Sequence, residues 1–505
     1  MKRFLSKIIA IVIIFLVSLS CTGVLAAPPE PPSGEMPSSN GGTPPDKPDG
    51  EGMPAGENNS SSVTHTGATE ISIDTTKSES TYASTTGSQN ALLVTGGTST
   101  LTNPTITKSG DSDGDDSDFY GTNAAVLVKE GTLNINGGTV TTNGSHANGI
   151  FAYSNGTVNV TDTTIKTSSN NSGAVMVTGG GTLTANNVTA ETDGNSSAPI
   201  RSDRGGGTLT INGGKYTANG VGSPAIYSTA NITVNNASLV STSSEGAVVE
   251  GKNSITLNNT ILTDTNTSLN GNSETYKNIF LYQSMSGDAD VGNSSFTAKD
   301  STITTNKGDT IFVTNTTSTI SLTNNKIINN DSTGAFLRVQ SGKWGTSGSN
   351  GGDVTLKASN QAIDGNIYVN NISTVDMSLS NNSSYTGILN GEKTAKTLSV
   401  TLDSTSTLTL TGDSYISTLN NAASDNSNIN LNGHTLYIGE TSLTSTDYKD
   451  TNNNQNNETV NSKDDEESTQ KDKSIKIRNA VITIIVATVV MIGAVVFIVN
   501  KRKRK

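Results

Sequence analysis

Asp111, Asp113, Asp115, Asp116 and Asp118 place five carboxylates within eight residues. Clustered hard oxygen donors are what a Ca²⁺ ion coordinates. The spacing departs from an EF-hand loop, because counting from Asp111 the sixth position is Asp116 rather than Gly and the twelfth is Thr122 rather than Glu. Two readings therefore stay open: a solvated acidic loop, or a structural extracellular Ca²⁺ site. Arg201, Asp203 and Arg204 form the densest charge cluster on the regular repeats. They make either a corner salt bridge or part of a ligand site. Cleaving a glycosidic bond would need a second carboxyl group within about 5–9.5 Å. Counting by the repeat period, Asp203 faces Thr178 on one side and Thr229 on the other. The nearest acid on that face is Glu250, two turns on at about 9–10 Å. Trp344, the one Trp of the chain, lies in a Gly/Ser-rich loop over 342–352. It either stacks on a sugar ring or folds over a turn edge to cover apolar surface. His65, His146 and His434 are far apart in sequence, and Cys21 is a single cysteine, so neither a Cys-ligated zinc site nor a disulfide framework is available.

The elements that carry these residues must be unusual. The chain has 505 residues, of which 32% are hydrophobic, 4% aromatic and 15% charged. A low apolar content points towards disorder, but disorder also calls for a high charge density, which is absent. What remains is a narrow core fed by many short strands flanked by Gly, Ser, Thr and Asn. A net charge of −12 spread along the chain rules against a nucleic-acid partner, which needs a concentrated basic surface.

Residues 65–440 are a repeat. Apolar anchors fall at Leu133, Val158, Leu183, Leu209, Ile232, Ile255, Phe296 and Ile320, with spacings of 25, 25, 26, 23, 23, 41 and 24. A second apolar residue follows two positions later, which is strand periodicity with one face inward. Four positions after each anchor stands Gly137, Asp162, Asn187, Gly213, Asn236, Asn259, Asp300 or Asn324. These residue types best tolerate positive φ, so a backbone corner recurs at one phase. The same pattern extends to Ser99, Leu408 and Ile429. Each unit adds a second apolar run, as at 125–128, 149–152, 174–177 and 247–249. Two or three strands per repeat make one turn of a parallel β-helix, and about twelve to fourteen turns at ~4.8 Å give a rod near 60 Å long. A β-sandwich array would instead show hairpin turns and a period of about 100 residues. The 41-residue gap marks an inserted loop at 266–278. The segments 107–121, 266–290 and 341–353 are expected to protrude, and the outward positions between 123 and 265 read mostly as Thr, Ser and Asn.

The segments Ile200-Arg201-Ser202-Asp203-Arg204-Gly205-Gly206-Gly207, Tyr282-Gln283-Ser284-Met285-Ser286-Gly287-Asp288-Ala289-Asp290-Val291-Gly292 and Trp344-Gly345-Thr346-Ser347-Gly348-Ser349-Asn350-Gly351-Gly352-Asp353 resemble adhesin-like right-handed parallel β-helix repeat surface proteins of Gram-positive, gut Firmicutes-type bacteria. The resemblance covers most of residues 85–440. It implies the fold and a surface location, and it supplies no catalytic residues.

The flanks fit that address. Lys2, Arg3 and Lys7 precede an apolar run at 8–19, and Val24-Leu25-Ala26 offers a cleavage site, the layout of a secretory signal. A lipoprotein signal ending at Cys21 is the competing reading. Residues 480–499 are apolar without a charge and are followed by Lys501-Arg502-Lys503-Arg504-Lys505, which reads as one membrane span with a cytoplasmic basic tail. No Leu-Pro-x-Thr-Gly motif precedes it. The expected organisation is a signal peptide (1–26), a Pro/Gly/Ser-rich disordered linker (27–64), an all-β, single-stranded right-handed parallel β-helix (65–440), a polar stalk (441–474) and a transmembrane helix with its tail (475–505). The expected function is that of a monomeric, non-enzymatic, membrane-anchored surface adhesin. It would bind a glycan or a host or matrix surface and need no cofactor beyond a possible structural Ca²⁺. A polysaccharide lyase or glycoside hydrolase, and a structural spacer, are the alternatives.

Overall fold

A computed structural model describes residues 63–269, 273–284 and 286–444. The signal segment, Cys21, the apolar run at 480–499 and most of both flanking linkers lie outside these residues. Among the described residues no helix is long and apolar enough to cross a membrane.

The repeat closes into a parallel β-solenoid of about fifteen turns, slightly more than the twelve to fourteen expected. Pairing is parallel and runs from each turn to the next, with register shifts at 94–98 and 128–130. Leu133 pairs with Val158, which pairs with Leu183, and the column continues through Leu209, Ile232, Ile255, Phe296 and Ile320. All eight are buried. Side chains alternate sides along a strand, so one apolar residue in two builds a continuous core. That is how a chain so poor in apolar residues holds together: each turn needs to fill only a narrow interior and pairs only with its neighbours.

Three faces make up a turn. A first face includes Val175–Thr178, Ile200–Ser202, Ile226–Ser228, Ala247–Glu250, Lys277–Tyr282 and Asp309–Thr314. A second face, which carries the anchors, includes Gly181–Asn186, Gly207–Asn212, Asn231–Asn235 and Ser254–Asn258. A third includes Thr139–Thr142, Thr164–Thr167, Thr189–Thr192 and Lys215–Ala218. The corner between the second and third faces sits at the eight positions chosen from sequence, and every one has positive φ, from 48° at Asn259 to 73° at Gly137. Gly137 takes this corner at φ 73°, the conformation Gly adopts without cost.

The repeat changes phase beyond Ile320. The second-face column passes to Leu356, Met377, Val400 and Leu419. Leu408 and Ile429, assigned to that column from sequence, instead follow Tyr385 on the third face. The third-face strands there have the same apolar–polar–apolar spelling, so spacing alone does not separate the two. The corner moves with the true register: Asn360 and Asn381 have φ of 50° and 55°. The 41-residue gap also resolves differently. It holds two insertions, at 265–276 and 283–292, on either side of the strand Lys277–Tyr282. At the C-terminal end the stack is closed by Thr441–Leu443, which pairs antiparallel with Leu436–Ile438.

Candidate binding surfaces

The first face departs most from expectation. Its outward column is Leu127, Phe151, Met176, Arg201, Tyr227, Val248, Phe280, Phe312 and Arg338. Seven of these nine are apolar or aromatic, with Arg201 and Arg338 as the exceptions, not the run of Thr, Ser and Asn expected for outward positions. Four consecutive apolar residues, as at 125–128 and 174–177, are the spelling of a parallel strand covered on both sides, and the inserted segments supply the cover. A short helix, α1 (Asp115–Tyr120), buries Phe119. The Phe119 carbonyl accepts a 2.6 Å hydrogen bond from Thr178 Oγ1. Leu93, Ala124, Leu127, Phe151 and Met176 form one satellite cluster, and Val248, Phe280 and Phe312 form another. Trp344 packs on the second, 5.3 Å from the Phe280 ring and 5.2 Å from Tyr282. The segments expected to protrude thus fold back against the solenoid at these points.

Between the two apolar clusters lies a polar one. Arg201 Nη2 donates to Asp203 at 2.9 Å, and the Arg204 amide donates to the same carboxylate at 3.2 Å. Glu250 accepts from Tyr227 at 2.5 Å, from Tyr282 at 2.7 Å and from the Ser284 hydroxyl. Asp203 and Glu250 are 4% and 1% exposed. They occupy one outward column two turns apart, with Thr229 between them, as the sequence count places them. The Thr229 hydroxyl is buried without a partner. Arg204 closes the cluster from outside. Its guanidinium lies 3.9 Å over the Phe119 ring, donates to Asp288 at 2.6 Å and stands 3.7 Å from Asp115. It thereby ties α1 to the insertion at 283–292. Tyr227 was not noted in the sequence, and Tyr282, Ser284 and Asp288 figure there only in the segment that carries the resemblance, not as site residues. The register that links Arg201 to Tyr227 was already in the spacing, whereas the inward fold of 283–292 had no local signal.

Removing Arg204 should loosen that roof. In Arg204→Ala, amide hydrogen exchange at 115–120 and 286–292 is expected to rise well above wild type, with second-face exchange unchanged. Equal protection in both proteins would show that the ion pairs do not hold the roof.

The five carboxylates of the acidic segment do not converge. Asp111 accepts the Ser145 amide at 2.8 Å, Asp115 points to Arg204, and Asp118 holds His146 Nδ1 at 2.9 Å. Asp113 and Asp116 are exposed. Part of the expected loop is helix. Among the described residues no three His, Cys, Asp or Glu side chains are grouped to hold a metal.

Burial pushes the Asp203 carboxyl up to about 6, with Arg201 opposing the shift. Burial, the neighbouring phenol of Tyr282 and the charge of Glu250 push Tyr227 well above the usual phenol range, so it stays a donor. The folded state therefore binds a proton at Asp203 more tightly than the unfolded chain does. Its contribution to stability is fully present below about pH 4 and is lost as pH rises through about 6. Asp203→Asn should flatten that part of the profile. Its melting temperature relative to wild type is expected to rise between pH 4 and pH 7, and a parallel pair of curves would refute the assignment.

The second face has the opposite character. From Thr132 to Thr319 one outward column reads Thr132, Thr157, Thr182, Thr208, Asn231, Ser254, Ser295, Thr319. The next reads Asn134, Asn159, Thr184, Thr210, Thr233, Thr256, Thr297, Ser321, and the third reads Asn136, Thr161, Asn186, Asn212, Asn235, Asn258, Lys299, Thr323. Lys299 is the one charged group. The amides of Asn186, Asn212, Asn235 and Asn258 hydrogen-bond from turn to turn at 2.9 Å, which aligns these four side chains in one ladder.

Comparison with protein-family models, curated proteins and solved structures gave no match to this chain.

Proposed function

We propose that this protein is a non-enzymatic surface adhesin: a right-handed β-helix displayed outside the cell by a secretory signal and held by one C-terminal membrane span. It binds a glycan or a host or matrix surface through its lateral faces, acts as a monomer and has no nucleic-acid partner. A Ca²⁺ ion in the acidic segment would serve as a structural ion, not as a cofactor. The observation that supports this most directly is the second face, a broad, regular array of hydroxyl and carboxamide groups with almost no charge. Such groups both donate and accept hydrogen bonds, so they can hold sugar hydroxyls but cannot protonate a leaving group.

The first-face ionisable groups favour the same conclusion, because their bonding capacity is spent within the protein. Glu250 serves three hydroxyls, Asp203 serves Arg201 and the Arg204 amide, and Arg204 serves Asp288. One arrangement favours an enzyme: Asp203, whose carboxyl burial pushes up to about 6, lies two turns from Glu250 on the same face, and a raised carboxyl is what a general acid requires. The two are separated by incubating the full-length protein with pectins, alginates and mucins, with and without Ca²⁺. No release of reducing ends or unsaturated uronides is expected. Release that Asp203→Asn or Glu250→Gln abolishes would replace the adhesin with a polysaccharide-processing enzyme.

A further inference from the structure

We propose that the second face is the binding surface and that its partner is a long, uncharged polysaccharide chain, extended rather than coiled, lying along the solenoid axis. This rests on the surface-binding function above and specifies its ligand.

Charge selects the class. The protein carries a net charge of −12, and an acidic partner would be repelled by most of its surface. On the second face the outward columns bring a single charge, Lys299, into eight turns. A neutral partner loses nothing there, whereas an anionic glycan finds no cationic row to pair with. The exposed face also lacks aromatic rings, so it has no platform for stacking a single sugar. Each hydroxyl or amide contact is weak alone because it replaces one to water. Useful affinity must therefore accumulate over many identical contacts, which requires a ligand that repeats as the face does.

Geometry selects the shape. The columns step along the axis by one strand spacing, about 4.8 Å, so eight turns offer about 34 Å of regular surface. That step is close to the rise of one pyranose unit in a fully extended chain. A coiled polysaccharide turns away from a flat surface after a few units. An extended ribbon keeps each sugar in reach of Thr210, Thr233 or their equivalents on successive turns.

The test uses the full-length protein and length fractions of neutral xylan and mixed-linkage β-glucan, with polygalacturonate and dextran sulfate as charged comparisons. Binding should be undetectable for mono- and trisaccharides and should tighten at least tenfold between short and long neutral fractions. Thr210→Glu with Thr233→Glu should weaken binding of the long fraction at least tenfold. Thr210→Val with Thr233→Val, which keeps strand-favouring side chains, should weaken it several-fold with an unchanged melting curve. Thr107→Glu with Thr141→Glu, on the third face, should leave it unaltered.

Binding only to the charged polymers, or neutral binding that ignores the second-face variants, would overturn this inference while leaving a surface-binding protein. Failure of every glycan and matrix component would remove both. A concentration-dependent dimer that Thr210→Glu dissolves, in a protein that binds no neutral chain, would assign the face to a second copy instead.

Discussion

Leu183→Asp should cost the solenoid about 5 kcal/mol, since it removes a buried leucine and leaves an unpaired carboxylate in the core. Leu183 is fully buried between Val158 and Leu209 on adjacent turns. A turn that cannot close breaks pairing with both neighbours, so the damage is expected in the middle of the stack, where the solenoid depends on continuous contacts. Thr184→Asp, one residue along and on the outer side, should cost less than about 1 kcal/mol. The contrast between adjacent positions is diagnostic of strand alternation. It is read from urea midpoints and from hydrogen exchange across 150–235. Similar losses for both variants, or a normal profile for Leu183→Asp, would contradict the inward column.

Lys277→Met should be the second large loss, about 3–5 kcal/mol. The Lys277 ammonium lies 3.1 Å from Glu245 with side-chain exposures of 2% and 7%. It also donates to Ser273 Oγ at 2.8 Å and the Thr275 carbonyl at 3.1 Å, and it sits 4.4 Å over the Phe280 ring. Removing the cation strands the Glu245 carboxylate beside Asp264, whose own carboxyl is already pushed up to about 7 by burial and by Glu245. Adding Glu245→Gln should recover most of the loss, because replacing both partners removes the stranded charge. A double variant no more stable than Lys277→Met, measured by thermal unfolding at pH 7.5, would show that packing rather than the ion pair accounts for the cost.

The solenoid was legible because its two rules are local. An apolar anchor recurs at an almost fixed interval, and a residue tolerant of positive φ follows four positions later. Both hold at Gly137, Asp162, Asn187, Gly213, Asn236, Asn259, Asp300 and Asn324. Legibility failed where two faces share one spelling, which is why Leu408 and Ile429 were put on the wrong face. It failed again on the first face. The doubled apolar runs were seen as strands, but their outward members Leu127, Phe151 and Met176 already implied a cover. What covers the column, the end of α1 beside Leu127 and Phe151 and Trp344 over Phe280, packs through contacts distant in sequence. Arg201 and Asp203 meet as neighbours on one strand, so that pair was readable. Arg204 with Asp288, 84 residues apart, was not. The acidic run at 111–118 shows the converse, since adjacency in sequence did not bring its carboxylates to one point.

The central claim is that the protein holds a surface glycan or matrix polymer without altering it. The most direct measurement applies the full-length protein to an array of immobilised glycans and matrix components, then recovers each retained polymer for end-group and size analysis. Retention of particular polymers, recovered at their original length and without new reducing or unsaturated ends, is the predicted result. Shortened polymer, or no retention of any component, would contradict it.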